Sequence, residues 1–338
     1  MNKKTNIDKI PVKDNSIKEF HLFAGIGGGI YGGHLLGHHC CGGVEIDEFC
    51  QNILKQRQKD GWLDPFEIYG DIKKLNGKSF KGKFDILCGG FPCQAFSTAA
   101  HGKNIASKNI WDEMFRFVEE SNAPIVFGEN VALKAILKAK EDLETLGYKV
   151  YYCKLSCFEI GGDHQRNRFW LLAVKNKSTF KKIAKHLSSL NPLEAKTWTA
   201  SPHEIKRETG ENVRAQLKAI GNAQSPFVAA SAFRILVNRH IESGDYKEKV
   251  SVSELEKVFS RQNTWVKETF GKDFGLVHTP TTMANYSAPS MMKHQGCRNF
   301  VKVFNRPNPL NAEYLMGFPV GASSPEPQNL ENIKTWNK

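Results

Sequence analysis

The sequence offers no apolar run approaching the roughly 18 residues that a membrane-spanning helix needs, and its polar, lysine-rich opening from Met1 to Lys18 lacks the features of a secretory leader. A membrane partner therefore loses ground. The eight cysteines, at positions 40, 41, 50, 88, 93, 153, 157 and 297, contain no C-x-x-C pair, which removes the zinc-ribbon and dithiol-redox readings. Cys153 and Cys157 lie four apart with no second pair to answer them, and the histidines are scattered, so no zinc or other metal is expected. Internal repeats and low-complexity tracts are absent too. What these absences leave is a cytoplasmic chain with reduced thiols.

Its composition is that of an ordinary globular protein, with 338 residues, 40% hydrophobic and 24% charged, enough for one large domain and a smaller one. Forty-seven Lys and Arg against 35 Asp and Glu give a formal charge of +12. That balance favours a polyanionic partner such as nucleic acid.

The stretch with most chemistry runs from Phe84 to Ser97, Phe-Asp-Ile-Leu-Cys-Gly-Gly-Phe-Pro-Cys-Gln-Ala-Phe-Ser. Ile86, Leu87 and Cys88, bounded by Gly89-Gly90, predict a buried strand that ends in a sharp turn. Cys93 then falls on a loop at a sheet edge, where open α/β sheets bind their ligands. A thiol there is placed for nucleophilic chemistry. Upstream, the apolar strand 20–24 runs into Gly25-Ile-Gly-Gly-Gly29, the strand-turn-helix cradle of a Rossmann-like unit. Gly27-x-Gly29-x-x-Gly32 matches the dinucleotide fingerprint in form. Glu45 ends the next strand, about 20 positions on, where a carboxylate can take both hydroxyls of a ribose. Asp71 follows a third short strand and could accept from an adenine amino group.

A helix from Ile110 to Glu120 places Trp111, Met114, Phe115 and Val118 toward the core. The strand 124–128 delivers Glu129-Asn130-Val131 to the edge that carries Cys93. A carboxylate at the end of an apolar strand is unfavourable unless paired or working, so Cys93 and Glu129 suggest nucleophile plus acid. A helix 132–146 stops at Gly147, residues 148–157 alternate as a long strand, and His164-Gln-Arg166-Asn-Arg168 precedes the strand 169–174. From Lys175 to Thr209 the chain is lysine-rich without strong periodicity, the expected limit of the catalytic core. Gln216 to Pro226 is expected as a turn before a helix, residues 241–272 as polar with helical character, and 278–300 as loop.

In this order, from about Phe20 to Val174, the segments resemble the DNA cytosine-5 methyltransferase family. Phe23-Ala-Gly-Ile-Gly-Gly28 is similar to the family's S-adenosylmethionine loop, with Phe23 in the place of the aromatic that packs on adenine. Glu45 corresponds to the ribose-binding acid, Asp71 to the adenine-binding aspartate, Gly90-Phe-Pro-Cys93-Gln94 to the nucleophile motif, and Glu129-Asn130-Val131 to the base-holding motif. His164-Gln-Arg166-Asn-Arg168 resembles a Gln-x-Arg-x-Arg motif, with His in place of the first Gln. The resemblance implies an α/β fold, a Rossmann-like S-adenosylmethionine-dependent methyltransferase sheet with helices on both faces, plus a smaller irregular DNA-recognition domain. It also implies methyl transfer to C5 of cytosine in double-stranded DNA. Cys93, Glu129, Arg166 and Arg168 would be catalytic. Phe23, Gly25, Gly27, Glu45, Ile46, Asp71, Ile72, Pro92 and Asn222 would bind cofactor. Gln94, Ser97, Asn130, Val131, Gly221, Lys293 and Arg298 would face substrate and DNA. A restriction-modification setting is implied, with a cognate endonuclease as a further partner and a monomeric enzyme.

The expected organisation is a polar tail at 1–18, the catalytic domain at 19–178, a linker and start of the small domain at 179–210, the Gly-Asn motif with a helix packing back at 211–240, and a target-recognition region at 241–338. One departure stands out. Leu315-Met-Gly-Phe-Pro319, which in the family precedes the Gly-Asn motif, here follows Gly221-Asn222 by over ninety residues. The small domain is thus expected to be rearranged, with 279–321 packed near Gly221-Asn222, and a chain cut after Arg239 is expected to keep a cofactor-binding core. Competing readings are an RNA cytosine-5 methyltransferase, a catalytically silent relative, and an NAD-dependent oxidoreductase that would leave Cys93, Glu129 and the arginines unexplained.

Overall fold

Short runs that are apolar on both alternations make strands buried on both faces, the mark of a sheet sandwiched between helices. The computed structural model describes residues 16–92, 110–191, 198, 212–245, 264–280 and 286–336. Its strands are β1 (Lys18–Leu22), β2 (His39–Val44), β3 (Glu67–Tyr69), β4 (Ile86–Gly90), β5 (Ile125–Asn130), β6 (Lys149–Leu155) and β7 (Arg168–Val174). They form one sheet in the order β3-β2-β1-β4-β5-β7-β6. β1 to β5 are parallel, and β7 runs antiparallel to both β5 and β6.

The helices are α1 (Gly28–Leu35), α2 (Glu48–Lys59), α3 (Ile110–Ser121), α4 (Leu133–Thr145), α5 (Lys177–Ser188), α6 (Val213–Asn222) and α7 (Pro226–His240). Residues along each strand alternate between two cores. Ile86, Cys88, Ile125, Phe127, Trp170 and Leu172 pack with α1, α2, α5 and α7. Leu87, Val126, Leu171 and Ala173 pack with α3 and α4 on the other face. The expected Rossmann-like methyltransferase sheet with helices on both sides is therefore the observed one.

Three local readings change. The lysine-rich stretch after Val174 opens with α5, whose Phe180, Ile183, Ala184 and Leu187 are buried at helical spacing. α5 runs through the 178/179 boundary, so the change in composition there is not a break in the fold. Gln216 to Asn222 belongs to α6 rather than to a turn, and Asn222 is its last residue. Residues 295–300, expected as loop, belong to a helix Gln295–Phe304 that buries Cys297, Phe300, Val303 and Phe304.

From Thr264 on, the described chain docks on the sheet domain. The helix Pro309–Met316 packs against α6. Leu315, Met316 and Phe318 are buried, and Phe318 and Trp336 both meet the Tyr31 ring of α1 edge-on. Arg57 of α2, fully buried, donates to the carbonyls of Gly321 and Glu326 at 2.5 Å each. No helix among the described residues is long and apolar enough to cross a membrane.

Candidate active site

Parallel strands that end at one edge bring their following loops together, and here the ends of β1, β2, β4 and β5 surround a cleft of about 1050 Å³. Phe23, Gly25, Glu45, Ile46, Asp71, Ile72, Pro92, Glu129, Asn130, Val131, Arg168, Gly221 and Asn222 all line it. Cys93, Gln94 and Ser97 lie outside the described residues. Pro92, immediately before Cys93 in the chain, is at the cleft wall.

The glycine turn after β1 holds Phe23 at φ 56°, Gly25 at 55° and Gly27 at 89°. Left-handed backbone is easy for glycine and strained for phenylalanine, so Phe23 is held there by its surroundings. Glu45 closes this turn. Its Oε2 accepts from the Gly25 amide at 2.6 Å and its Oε1 from the Asp47 amide at 2.8 Å. Burial raises its pKa, against the pull of those backbone donors. Ile46 beside it is 74% exposed, an apolar face turned to the cleft. Asp71 accepts from the Lys73 amide at 3.0 Å and starts the short turn that buries Ile72. Lys218 of α6 reaches over to Asp47 at 3.5 Å, joining the two rims.

The β4 and β5 ends are in register, with Gly90 opposite Glu129. Glu129 is buried and its Oε1 lies 3.0 Å from Arg168 Nε. Asn130 does not present its amide to the cleft. It donates to the Phe91 carbonyl at 2.8 Å and accepts from the Ala132 amide at 2.9 Å, which ties the loop leading to Cys93 onto β5.

The two arginines have different surroundings. Arg168 lines the cleft. Arg166 turns inward, at φ 32°, and donates to the carbonyls of Gly221 (3.0 Å), Ala223 (2.6 Å) and Pro280 (3.5 Å). Burial, then Arg168, lowers its pKa to about 9. Both arginines were expected at the reaction centre without distinction, and the structure separates them: Arg166 is a strut from the loop before β7 to α6 and to Thr279-Pro280. His164 is fully buried with neither ring nitrogen hydrogen-bonded. Burial, with Arg166, Arg168 and His278 nearby, lowers its pKa to about 3. Lys293 and Arg298 are exposed and do not line the cleft, and Arg298 donates to the carbonyls of Met292 and Lys293 at 2.9 and 2.8 Å.

Sequence spacing passed over two features. Gln224, just past the Gly-Asn pair, lines the cleft and donates from Nε2 to Glu129 Oε2 at 3.4 Å. The only available signal was its place two residues after Asn222. Beneath the cleft floor, Glu19 accepts from His21 Nε2 at 2.9 Å and His38 Nδ1 at 2.6 Å. Burial would push its pKa up, yet the two imidazoles, His38 first, hold it at about 2. Cys88 sits opposite His21 in the sheet, and the ligand-capable atoms of Glu19, His21 and Cys88 lie within 4.8 Å of one another. Both carboxylate oxygens are already taken by imidazoles.

This strand order, with one reversed strand and a cleft at the parallel ends, defines a Rossmann-like methyltransferase. The sequence profile of the C-5 cytosine-specific DNA methylases matches residues 17–320, and the chain belongs to that family. It is 31% identical over 179 residues to the type II methyltransferase M.MspI of Moraxella sp, covering 48% of this chain and 40% of that one. Against the type II methyltransferase M.HhaI of Haemophilus parahaemolyticus, it is 27% identical over 179 residues, 49% of this chain and 53% of the other. These matches span about half the length of the relatives or less. Among solved structures, the S. pombe Dnmt2 methyltransferase aligns with 60% of this chain and 61% of its own, at 19% identity and a TM-score of 0.40.

Proposed function

We propose that this chain transfers a methyl group to C5 of cytosine in double-stranded DNA, through a bond from Cys93 to C6 of a base turned out of the helix. The observation behind this reading is the Glu129–Arg168 pair, set beside Gly90 and Pro92 on the loop that leads into Cys93. C5 of cytosine is a poor nucleophile, and thiolate addition at C6 makes it enamine-like. The Glu129 carboxyl donates its proton to N3, offsetting the charge that sulfur brings to the ring, and accepts from the exocyclic amine, while Arg168 keeps it oriented and offers further donors to the base. Once C5 carries the methyl group, loss of its proton to solvent returns the electron pair to the C5–C6 bond, expels the Cys93 thiolate and restores the ring.

The cleft suits S-adenosylmethionine. No atom lies within 4 Å of where a Cβ would stand on Gly25, so the turn opens its backbone to a ligand. Glu45 lies where it can take ribose hydroxyls, the exposed Ile46 gives an apolar face for a purine, and Asp71 can accept from its amine. When bound, that cofactor supplies an electrophilic methyl group. C6 is out of reach in a stacked duplex, so the base must be flipped at a cost of a few kcal/mol. The +12 charge favours the backbone contacts that offset this cost.

The test is labelled methyl transfer to duplex DNA. Duplex carrying 5-fluorocytosine should form a denaturation-resistant adduct with the wild type, because fluorine cannot leave as the C5 proton does. Cys93→Ser should form none, and should lose transfer while still binding S-adenosylmethionine. Transfer to RNA in preference to duplex DNA, or full activity in Cys93→Ser, would overturn the reading.

A further inference from the structure

Gln224 reaches Glu129 and three glycines of the site, although it belongs to no strand or helix. Its carbonyl oxygen lies 2.1 Å from where a Cβ would stand on Gly28, and its side-chain Oε1 lies 2.5 Å from the same point on Gly29. Its Nε2 lies 2.9 Å from the corresponding point on Gly90, as does Glu129 Oε2. Three glycines, two that open α1 just after the cofactor turn and one at the end of β4, thus leave the space that Gln224 fills. Any side chain at those positions would push it out.

The amide is polar at both ends and both ends are placed. Its NH2 group donates to the Glu129 oxygen that Arg168 does not take, so the carboxyl is held from two sides. Its oxygen sits over the Gly29 turn, on the side where His21 Nδ1 comes within 3.3 Å of the same point, and His21 in turn is held by the buried Glu19. A carboxyl held by Arg168 alone could still rotate about its last torsion, which for glutamate is broad. A second donor fixes its plane.

Building on the cytosine methyltransferase reading, we propose that Gln224 is the positioning residue of Glu129, fixing the carboxyl plane that receives the base and linking it to the cofactor turn. The cations facing Glu129 among the described residues are Arg168, in contact, and Arg166 behind it. Gln224 is the neutral partner, and its neutrality matters. A carboxylate in its place would set two like charges side by side and favour the protonated form of the pair.

Two variants of the full-length protein test this. Gln224→Met keeps length and removes the donor; kcat should fall about 10- to 100-fold, as for loss of an oriented acid, while the KM for S-adenosylmethionine changes less than threefold. Gln224→Glu keeps shape and adds charge; the alkaline limb of kcat/KM should move to higher pH by about one unit, and the Glu129 carboxyl, followed by carbon NMR in selectively labelled enzyme, should titrate correspondingly higher than in the wild type. Unchanged NMR titration in Gln224→Glu overturns the proposal, whatever the activity. So do wild-type kcat and an unmoved pH profile in both variants. If the titration moves but the wild type forms no adduct with 5-fluorocytosine duplex, the contact stands and the methyltransferase reading fails. Should Gln224→Met not fold, the isosteric Gln224→Glu decides alone.

Discussion

A buried imidazole with no hydrogen bond is an uneconomical group to keep beside two arginines, and His164 is one. Its pKa in the folded chain, about 3, lies below the ordinary 6.5. Below pH 6.5 the unfolded chain therefore binds a proton that the folded chain refuses. Stability attributable to His164 is complete above that pH and is lost as pH falls toward 3, at about 1.4 kcal/mol per pH unit. His164→Gln should remove one proton from the acid dependence of unfolding, and urea titrations at pH 7, 6 and 5 would detect it. An unchanged slope would mean that the imidazole protonates in place. At this scale the sequence reading was uneven. Glu45, Glu129 and Arg168 were legible because strand ends at one sheet edge must converge. Arg166 and Arg168 were not separable, since spacing does not reveal which of two alternate side chains turns inward. Gln224 was invisible because its role depends on space left by glycines far away in the chain.

Elements were more legible than their boundaries. Every strand was foreseen, most from short apolar runs and β6 from its alternation, whereas α5 and the helix 295–304 were hidden by composition. Lysines around Phe180, Ile183 and Leu187, and polar residues around Cys297, Phe300 and Val303, obscured a helical period that was present. The third glycine of the formal fingerprint, Gly32, has a packing cause. A Cβ on Gly32 would lie 3.0 Å from the Ala229 Cβ and 3.1 Å from the Pro226 carbonyl oxygen, so this glycine lets α7 cross α1 closely. Gly32→Val should then destabilise the fold by about 1–3 kcal/mol through overpacking. Gly25→Ala, with open space around it but φ 55°, should lose only the backbone term of about 1–2 kcal/mol. Equal loss in cofactor affinity from both, with no difference in stability, would return Gly32 to the ligand.

Over the whole molecule, the helix 309–316, which carries the first two residues of the displaced Leu-Met-Gly-Phe-Pro segment, packs against α6. It also does more. Trp336 sits against Tyr31 and Phe227 with its Nε1 on the Gly317 carbonyl at 3.0 Å, and Trp62 donates to the Asn329 carbonyl at 3.1 Å. Thr264 donates to Asp163 Oδ1 at 2.6 Å, fastening the start of this region to the arginine loop. A chain cut after Arg239 would leave the apolar side of α1 and α7 bare, so the expectation that such a core still binds S-adenosylmethionine gives way to its loss. Calorimetry should show no cooperative transition in that fragment, and Trp336→Ala in the full chain should cost about 3–5 kcal/mol. A truncated core that melts cooperatively and binds the cofactor would restore the two-part organisation. No sequence pattern could have shown this, because the contacts join segments with nearly the whole chain between them. Arg57 and the carbonyls that it holds are 264 and 269 residues apart. At about 5–20 residues per second of synthesis, α2 waits roughly a quarter-minute to a minute for its cover. Through most of translation the nascent chain thus carries an open apolar seam, and the yield of active protein in a cell depends on who shields that seam as well as on how stable the finished fold is.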